Sequence, residues 1–162
     1  MRWSIPMSER AFDRDQIAHF TPEYHPKAPG DMRRQTIAAL SEHGVGLDAG
    51  AELAIELTVT ELVTNGMRYG GIVGRLDVFL YLETGGFLTV EVWDGEGAVE
   101  PVIKQAADDD DSGRGLALVA GLAERLWWER ASFAKKVCAR ISLRTPAESA
   151  LDPRRDPQPA AV

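Results

Sequence analysis

The chain has 162 residues, of which 44% are hydrophobic and 27% charged, and its formal net charge is -7. That is enough for one domain with a proper core but not for two. The acidic balance argues against a nonspecific nucleic-acid binder, which needs a basic face to displace counterions, though it leaves room for a basic partner. Cys138 is the only cysteine, so an internal disulfide is excluded and a reducing compartment is expected. No early segment joins a basic start to a long apolar run, and no apolar run is long enough to span a bilayer. The expectation is a cytoplasmic single domain that neither binds nucleic acid directly nor enters a membrane.

Residues 1–30 read as an N-terminal extension. They have no clear period, apart from a candidate edge strand at Gln16-Ile17-Ala18-His19-Phe20. Pro22, Pro26 and Pro29 predict an extended loop, since each proline and its predecessor disfavour helix. Asp31 is placed to cap a helix running through Met32, Thr36, Ile37 and Leu40 and ending at His43-Gly44. His19, His25 and His43 have no metal-ligand spacing. Asp48 is the expected N-cap of a second helix, with Glu52 and Glu56 near its positive end. This helix runs through Leu53, Leu57 and Glu61 to about Arg68, where Gly70-Gly71 stops it.

The last turns of that helix carry the first candidate site. Glu61 and Asn65 stand four residues apart, so a helix puts both on one face at the edge of an apolar seam with Leu57, Leu62 and Val63. A carboxylate and a carboxamide there are costly without a partner. Together they suit an ion-bridged phosphate and a nearby water or hydroxyl. The alternative is that Asn65-Gly66, a strong turn dipeptide, simply ends a helix whose polar edge faces water.

A strand follows, with Leu76, Val78, Leu80 and Leu82 on one face and Asp77, Phe79, Tyr81 and Glu83 on the other. Thr84-Gly85-Gly86 is a short hairpin loop, and the return strand puts Leu88, Val90 and Val92 on one face. Asp94 continues that face. It therefore points into the layer between sheet and helices and needs a donor, from a ligand amino group or a helix N-terminus. The bland reading is a cap on the turn at Gly95.

Gly95 to Asp111 has no period, and its run Asp108 to Asp111 reads as a solvated surface loop. Ser112-Gly113-Arg114-Gly115 then opens a helix bearing Leu116, Val119, Ala120, Leu122, Ala123 and Leu126. A glycine-rich helix entry leaves N–H groups and a positive dipole end for an anion, though it is equally an ordinary helix start. Strands are expected around Leu126 to Arg130 and Lys136 to Arg144, the second with Val137, Ala139, Ile141 and Leu143 on one face. Cys138 would sit in that strand in a structural role. Residues 145–162 read as a disordered tail.

Taken in order, these pieces resemble the Bergerat-fold (histidine-kinase-like) ATP-binding superfamily, which includes gyrases, histidine kinases, heat-shock chaperones and mismatch-repair ATPases. The form Glu61-Leu62-Val63-Thr64-Asn65 is similar to that of the small bacterial anti-sigma-factor serine/threonine kinases. The resemblance covers about residues 31–144. It implies an α/β fold of the α+β two-layer kind, with a mixed, mostly antiparallel sheet and helices on one face.

The resemblance also implies ATP and magnesium as cofactors. Asn65 would hold the metal that bridges the phosphates, and Glu61 would act as general base. Asp94 would accept from the adenine amino group. Gly95 and Gly97 would form a first glycine box, and Gly113, Arg114, Gly115 and Leu116 a second one at the phosphates. Arg114 is either a phosphate contact or simply exposed. Residues 97–112 would be a lid. The implied partners are a sigma factor, an anti-anti-sigma protein, or both, and a second copy of the chain, since the family includes dimers.

Three departures stand out. Asp94-Gly95-Glu96-Gly97-Ala98 has its glycines out of register with the usual box, Tyr69 stands where histidine is frequent, and Gly66 where alanine is common. Gly66 should loosen the helix by about 1 kcal/mol. These departures leave open a non-catalytic regulator that sequesters its partner with nucleotide structural or absent.

Overall fold

The computed structural model describes residues 13–70, 75–95, 101, 114–131 and 134–144. In chain order these form β1 (Arg14–Phe20), α1 (Ala28–Glu42), α2 (Ala49–Tyr69), β2 (Asp77–Glu83), β3 (Phe87–Asp94), α3 (Arg114–Leu122), β4 (Arg125–Ala131) and β5 (Ala134–Ser142). The expected lid over residues 97–112, apart from Pro101, lies outside the described residues, as do the aspartate run and the expected C-terminal tail.

The period-two alternation of β2, β3 and β5 gives the sheet two unlike faces. Val78 pairs with Val92, Val90 with Ala139 and Leu88 with Ile141, so the apolar side chains of neighbouring strands share one face. The strand order is β1-β2-β3-β5-β4, and every strand pairing among the described residues is antiparallel. Leu40 of α1, Ile55, Val59, Leu62 and Val63 of α2, and Leu116 and Val119 of α3 join that apolar face in one core. The helices therefore lie on one side, in an α+β two-layer fold. The candidate edge strand is longer than expected and pairs with β2 through a bulge between Gln16 and Ala18.

The other sheet face is polar and aromatic, and its charges pair across strands. Arg14 Nη1 lies 2.9 Å from Glu91, Lys136 Nζ 3.1 Å from Glu129, and Arg140 Nε 2.6 Å from Glu83. Glu83 and Glu91 are buried despite facing away from the core. Such pairing is what makes buried carboxylates tolerable.

Two helix boundaries differ from the sequence reading. Helix α1 starts at Ala28, with Pro29 inside its first turn and Asp31 on the helix as a first-turn acid. Proline has no N–H to lose at that position and its fixed φ suits a helix start, so Pro29 begins the helix instead of belonging to the loop. Helix α3 stops at Leu122, and Leu126 belongs to β4, where its pairing with Ala139 keeps it on the core face. Helix α2 does start at the expected cap, where Asp48 Oδ1 accepts from Ala51 N at 2.7 Å.

The reading of Asn65-Gly66 as a helix end does not hold, because α2 continues to Tyr69. Gly66 is there for a packing reason. A β-carbon on it would lie 2.9 Å from Leu76 Cδ2 and 3.3 Å from Val92 Cγ1, against the floor of the core. Gly70 is tighter still. A β-carbon there would fall inside contact distance of the Gly66 carbonyl oxygen and the Tyr24 hydroxyl, and 2.9 Å from Asp94 Cβ. Its φ of -81° is open to any residue, so the demand for glycine is one of space. In the hairpin the demand is conformational, with φ of 100° at Gly85 and 80° at Gly86.

Gly70→Ala should therefore destabilise the fold by about 1–3 kcal/mol, the usual cost of overpacking. The check is the urea midpoint at unchanged m-value. An alanine variant as stable as the wild type would show that α2 does not need this close approach.

Candidate functional site

Helix α2 packs its Leu62, Val63 and Gly66 face on the sheet, which leaves Glu61 and Asn65 one above the other at the edge of the buried stripe. A small cleft opens there between α2 and α3. It is lined by Glu61, Thr64, Asn65, Arg68 and Tyr69 from one helix and Gly115 and Leu116 from the other. Among the described residues, the amide nitrogen of Asn65 is buried without a hydrogen-bond partner. A buried donor left unmet costs about 1–3 kcal/mol, so a donor kept this way at a cleft is a place for an acceptor. The carboxamide can also turn its oxygen to the same place.

Glu61 faces α3. Its carboxylate lies so close over Gly115 that a β-carbon on residue 115 would fall inside contact distance of the carboxylate oxygen and 2.8 Å from its carbon. With glycine at 115 the Glu61 carboxylate can occupy this place, whereas a side chain there would make it move. Arg114 is exposed at the first position of α3, while Leu116 is buried in the core and anchors the helix.

Asp94 does point inward, as the alternation predicts, and it is buried. Among the described residues it meets a donor from the neighbouring strand β5. Lys135 Nζ stands 3.0 Å from Asp94 Oδ1, with both side chains at most 1% exposed. The same ammonium reaches the Tyr69 carbonyl oxygen at 3.5 Å, tying the end of β3 to the end of α2. Removing one partner of such a pair costs about 3–5 kcal/mol, because the other charge stays buried. Tyr24 completes this corner by donating to the Gly66 carbonyl oxygen at 3.3 Å. Burial, and after it the charge of Asp94, push the Tyr24 hydroxyl above its ordinary pKa.

The sequence reading missed Lys135. It started the last strand at Lys136, whereas the strand starts at Ala134. Carrying the Val137, Ala139, Ile141 alternation two places back puts Lys135 on the inward face, and the long-range antiparallel pairing of β5 with β3 then sets it opposite Asp94.

The structure thus brings Glu61, Asn65, Gly115 and Leu116 together at one cleft. Asp94 and Gly95 border a separate cavity of about 480 Å³, whose other walls are Arg75, Asp77, Phe79, Tyr81, Trp93 and Ala134. Phe79, Tyr81 and Trp93 belong to the sheet face away from the helices. Gly97 and Gly113 lie outside the described residues, so neither glycine box can be drawn complete.

Cys138 is fully buried in β5, and burial, then the charge of Glu91, push its thiol well above the ordinary value. A raised thiol pKa means that the reactive thiolate is scarce at pH 8. Iodoacetamide at pH 8 should leave the native protein unmodified by mass and label it once in denaturant. Rapid labelling of the native protein would contradict the burial.

Comparison with known proteins places these observations. The histidine kinase-like ATPase domain profile matches residues 26–142, which includes α1 to β5. The crystal structure of the RsbU and RsbW domains of Rv1364c from Mycobacterium tuberculosis is similar in fold. The two share 19% identity with a TM-score of 0.61 over 80% of this chain and 33% of that one. The present chain thus spans about a third of that neighbour's length. No curated protein matches the sequence. With the profile covering most of the chain and the antiparallel sheet carrying its helices on one face, the chain belongs to the histidine kinase-like ATPase domain family.

Proposed function

We propose that the chain binds ATP with magnesium at the cleft between α2 and α3 and acts as a serine/threonine kinase and anti-sigma regulator, phosphorylating a small anti-anti-sigma-type partner. The observation that carries the reading is the buried, unmet amide of Asn65 beside the Glu61 carboxylate. The carboxamide oxygen suits a hard cation and its nitrogen suits a phosphate oxygen, so these residues fit the metal that the family implies. When bound, magnesium supplies charge neutralisation at the transferring phosphoryl group. Glu61, one turn away on the same face, would take the proton of the incoming hydroxyl. The backbone around Gly115 would meet phosphate at the start of α3, in a region where any side chain would displace Glu61.

The partner class is inferred from the resemblance of Glu61-Leu62-Val63-Thr64-Asn65 to the anti-sigma-factor kinases. Among the described residues no helix is long and apolar enough to cross a membrane, and a cytoplasmic regulator, with a second copy of the chain as a further partner, is the reading in keeping with that family.

One observation favours a second reading, a non-catalytic protein that sequesters a sigma factor or other regulator with nucleotide structural or absent. Asp94, the residue assigned to adenine, is already held by Lys135.

Calorimetric titration of Mg-ATP into the wild type and Asn65→Ala tests the binding half of the proposal. Binding in the wild type that is lost in the variant is expected, and no binding in either would remove the kinase reading. Glu61→Gln should lower phosphate transfer to a partner by about a hundredfold or more while nucleotide affinity stays within about threefold. Transfer that survives would show that Glu61 is not the base. Gly115→Ala should lower transfer as well, because it evicts the Glu61 carboxylate from its place, and its fold can be checked by circular dichroism.

A further inference from the structure

Strand β4 lies at one end of the sheet order. Among the described residues it pairs with β5 on one side and with no strand on the other. Leu143 N donates to Gly86 O and Glu124 N to Arg140 O, so odd-numbered residues of β5 bond to β3 and even-numbered ones to β4. Their β4 partners Arg125, Trp127 and Glu129 therefore bond inward, and Leu126, Trp128 and Arg130 turn their N–H and C=O groups to the open edge. Such an edge is a template for another strand. Charged side chains along it turn away most strands and admit one whose charges match.

The run Glu124-Arg125-Leu126-Trp127-Trp128-Glu129-Arg130 is complementary to itself when reversed. An antiparallel copy centred on Trp127 sets Arg125 opposite Glu129, Glu124 opposite Arg130 and Leu126 opposite Trp128, and the two-fold symmetry repeats each pair. Trp127 meets its own copy at a non-hydrogen-bonded position, where opposed side chains come closest and aromatic pairs stabilise. Leu126 and Trp128 bring their outward backbone groups face to face. Centring the copy on Trp128 instead sets Trp127 against Glu129 and Leu126 against Arg130, with no opposite charges matched. The side chains on the outer face are already ordered. Glu129 accepts from Trp127 Nε1 at 2.9 Å and holds Lys136 Nζ at 3.1 Å, and the Arg125 guanidinium stands 4.9 Å from the centre of the Trp127 ring. Ordering in advance lowers the cost of association. We propose that β4 is the interface for a second copy of the chain, the two strands pairing antiparallel about Trp127 into one continuous sheet. This surface stands independently of the nucleotide reading, and it gives the second copy named above its place.

Sedimentation velocity of the full chain is the test. The wild type should be a dimer. Arg125→Glu and Glu129→Arg each set like charges opposite one another, and each should raise the dimer dissociation constant by about tenfold or more. Mixing the two variants restores both matches, so a heterodimer of about wild-type affinity should form. A wild type that stays monomeric up to about 100 μM overturns the proposal and the second-copy reading with it. A dimer indifferent to both substitutions, or variants that do not recover on mixing, overturns this surface alone. Circular dichroism checks that both variants fold, and should either fail to, Trp127→Cys decides. At the two-fold axis its thiols lie within disulfide reach, so mild oxidation should give a covalent dimer on a nonreducing gel. The wild type, whose Cys138 is buried, should give none. No covalent dimer from Trp127→Cys overturns the proposal.

Discussion

Helix α2 lies so close to β3 that residues 66 and 70 have no space for a side chain. Everything on the helix that has chemistry depends on this approach. The buried stripe of Ile55, Val59, Leu62 and Val63 is fully sequestered, and burying side chains of this size contributes about 1.5–3 kcal/mol each. Since a helix repeats every 3.6 residues, fixing that stripe on the sheet also fixes where Glu61 and Asn65 stand. They lie at the margin, too near the core to be fully solvated and too near the surface to be closed off. Gly66 has a lower helix propensity than any other residue except proline. Its compensation is the depth to which Leu76 and Val92 can approach the helix backbone.

The same close approach explains the corner where β3, β5 and the end of α2 meet. Tyr69 and Gly70 end the helix against Asp94, so the last helical carbonyl and the carboxylate fall within reach of one ammonium. A negative helix C-terminus and a buried carboxylate both favour a cation there. Lys135 supplies it from the neighbouring strand. The opposite face of the sheet handles its carboxylates in the same manner, with Arg14, Lys136 and Arg140 reaching Glu91, Glu129 and Glu83 across strands. Charge pairing across strands, adjacent or one strand apart, is thus a general device of this sheet.

Family membership and site chemistry stand on different observations in this chain. Membership follows from the profile match and the layered antiparallel fold. The chemistry rests on one buried amide without a partner and one carboxylate pressed over a glycine. A fold of this kind positions side chains for several chemistries, and it is the particular residues at the cleft that favour one of them.

By itself, the sequence determined the parts governed by period and local capping. The alternation of β2, β3 and β5, the Asp48 cap, the pairing of Glu61 with Asn65 on one helix face and the inward direction of Asp94 all follow from rules spanning a few residues. The order of the motifs was enough to suggest the family. Tertiary structure alone decided whatever depends on residues distant in the chain. That α2 runs through Asn65-Gly66 without turning is set by Leu76 and Val92, since burial of the helix outweighs the local turn preference. That a side chain at residue 115 would displace the Glu61 carboxylate follows from packing α3 against α2, which brings together residues 54 positions apart in the sequence. That Asp94 is met by a lysine depends on β5 lying beside β3 in register, a pairing between strands 41 residues apart at that point, which no local pattern encodes.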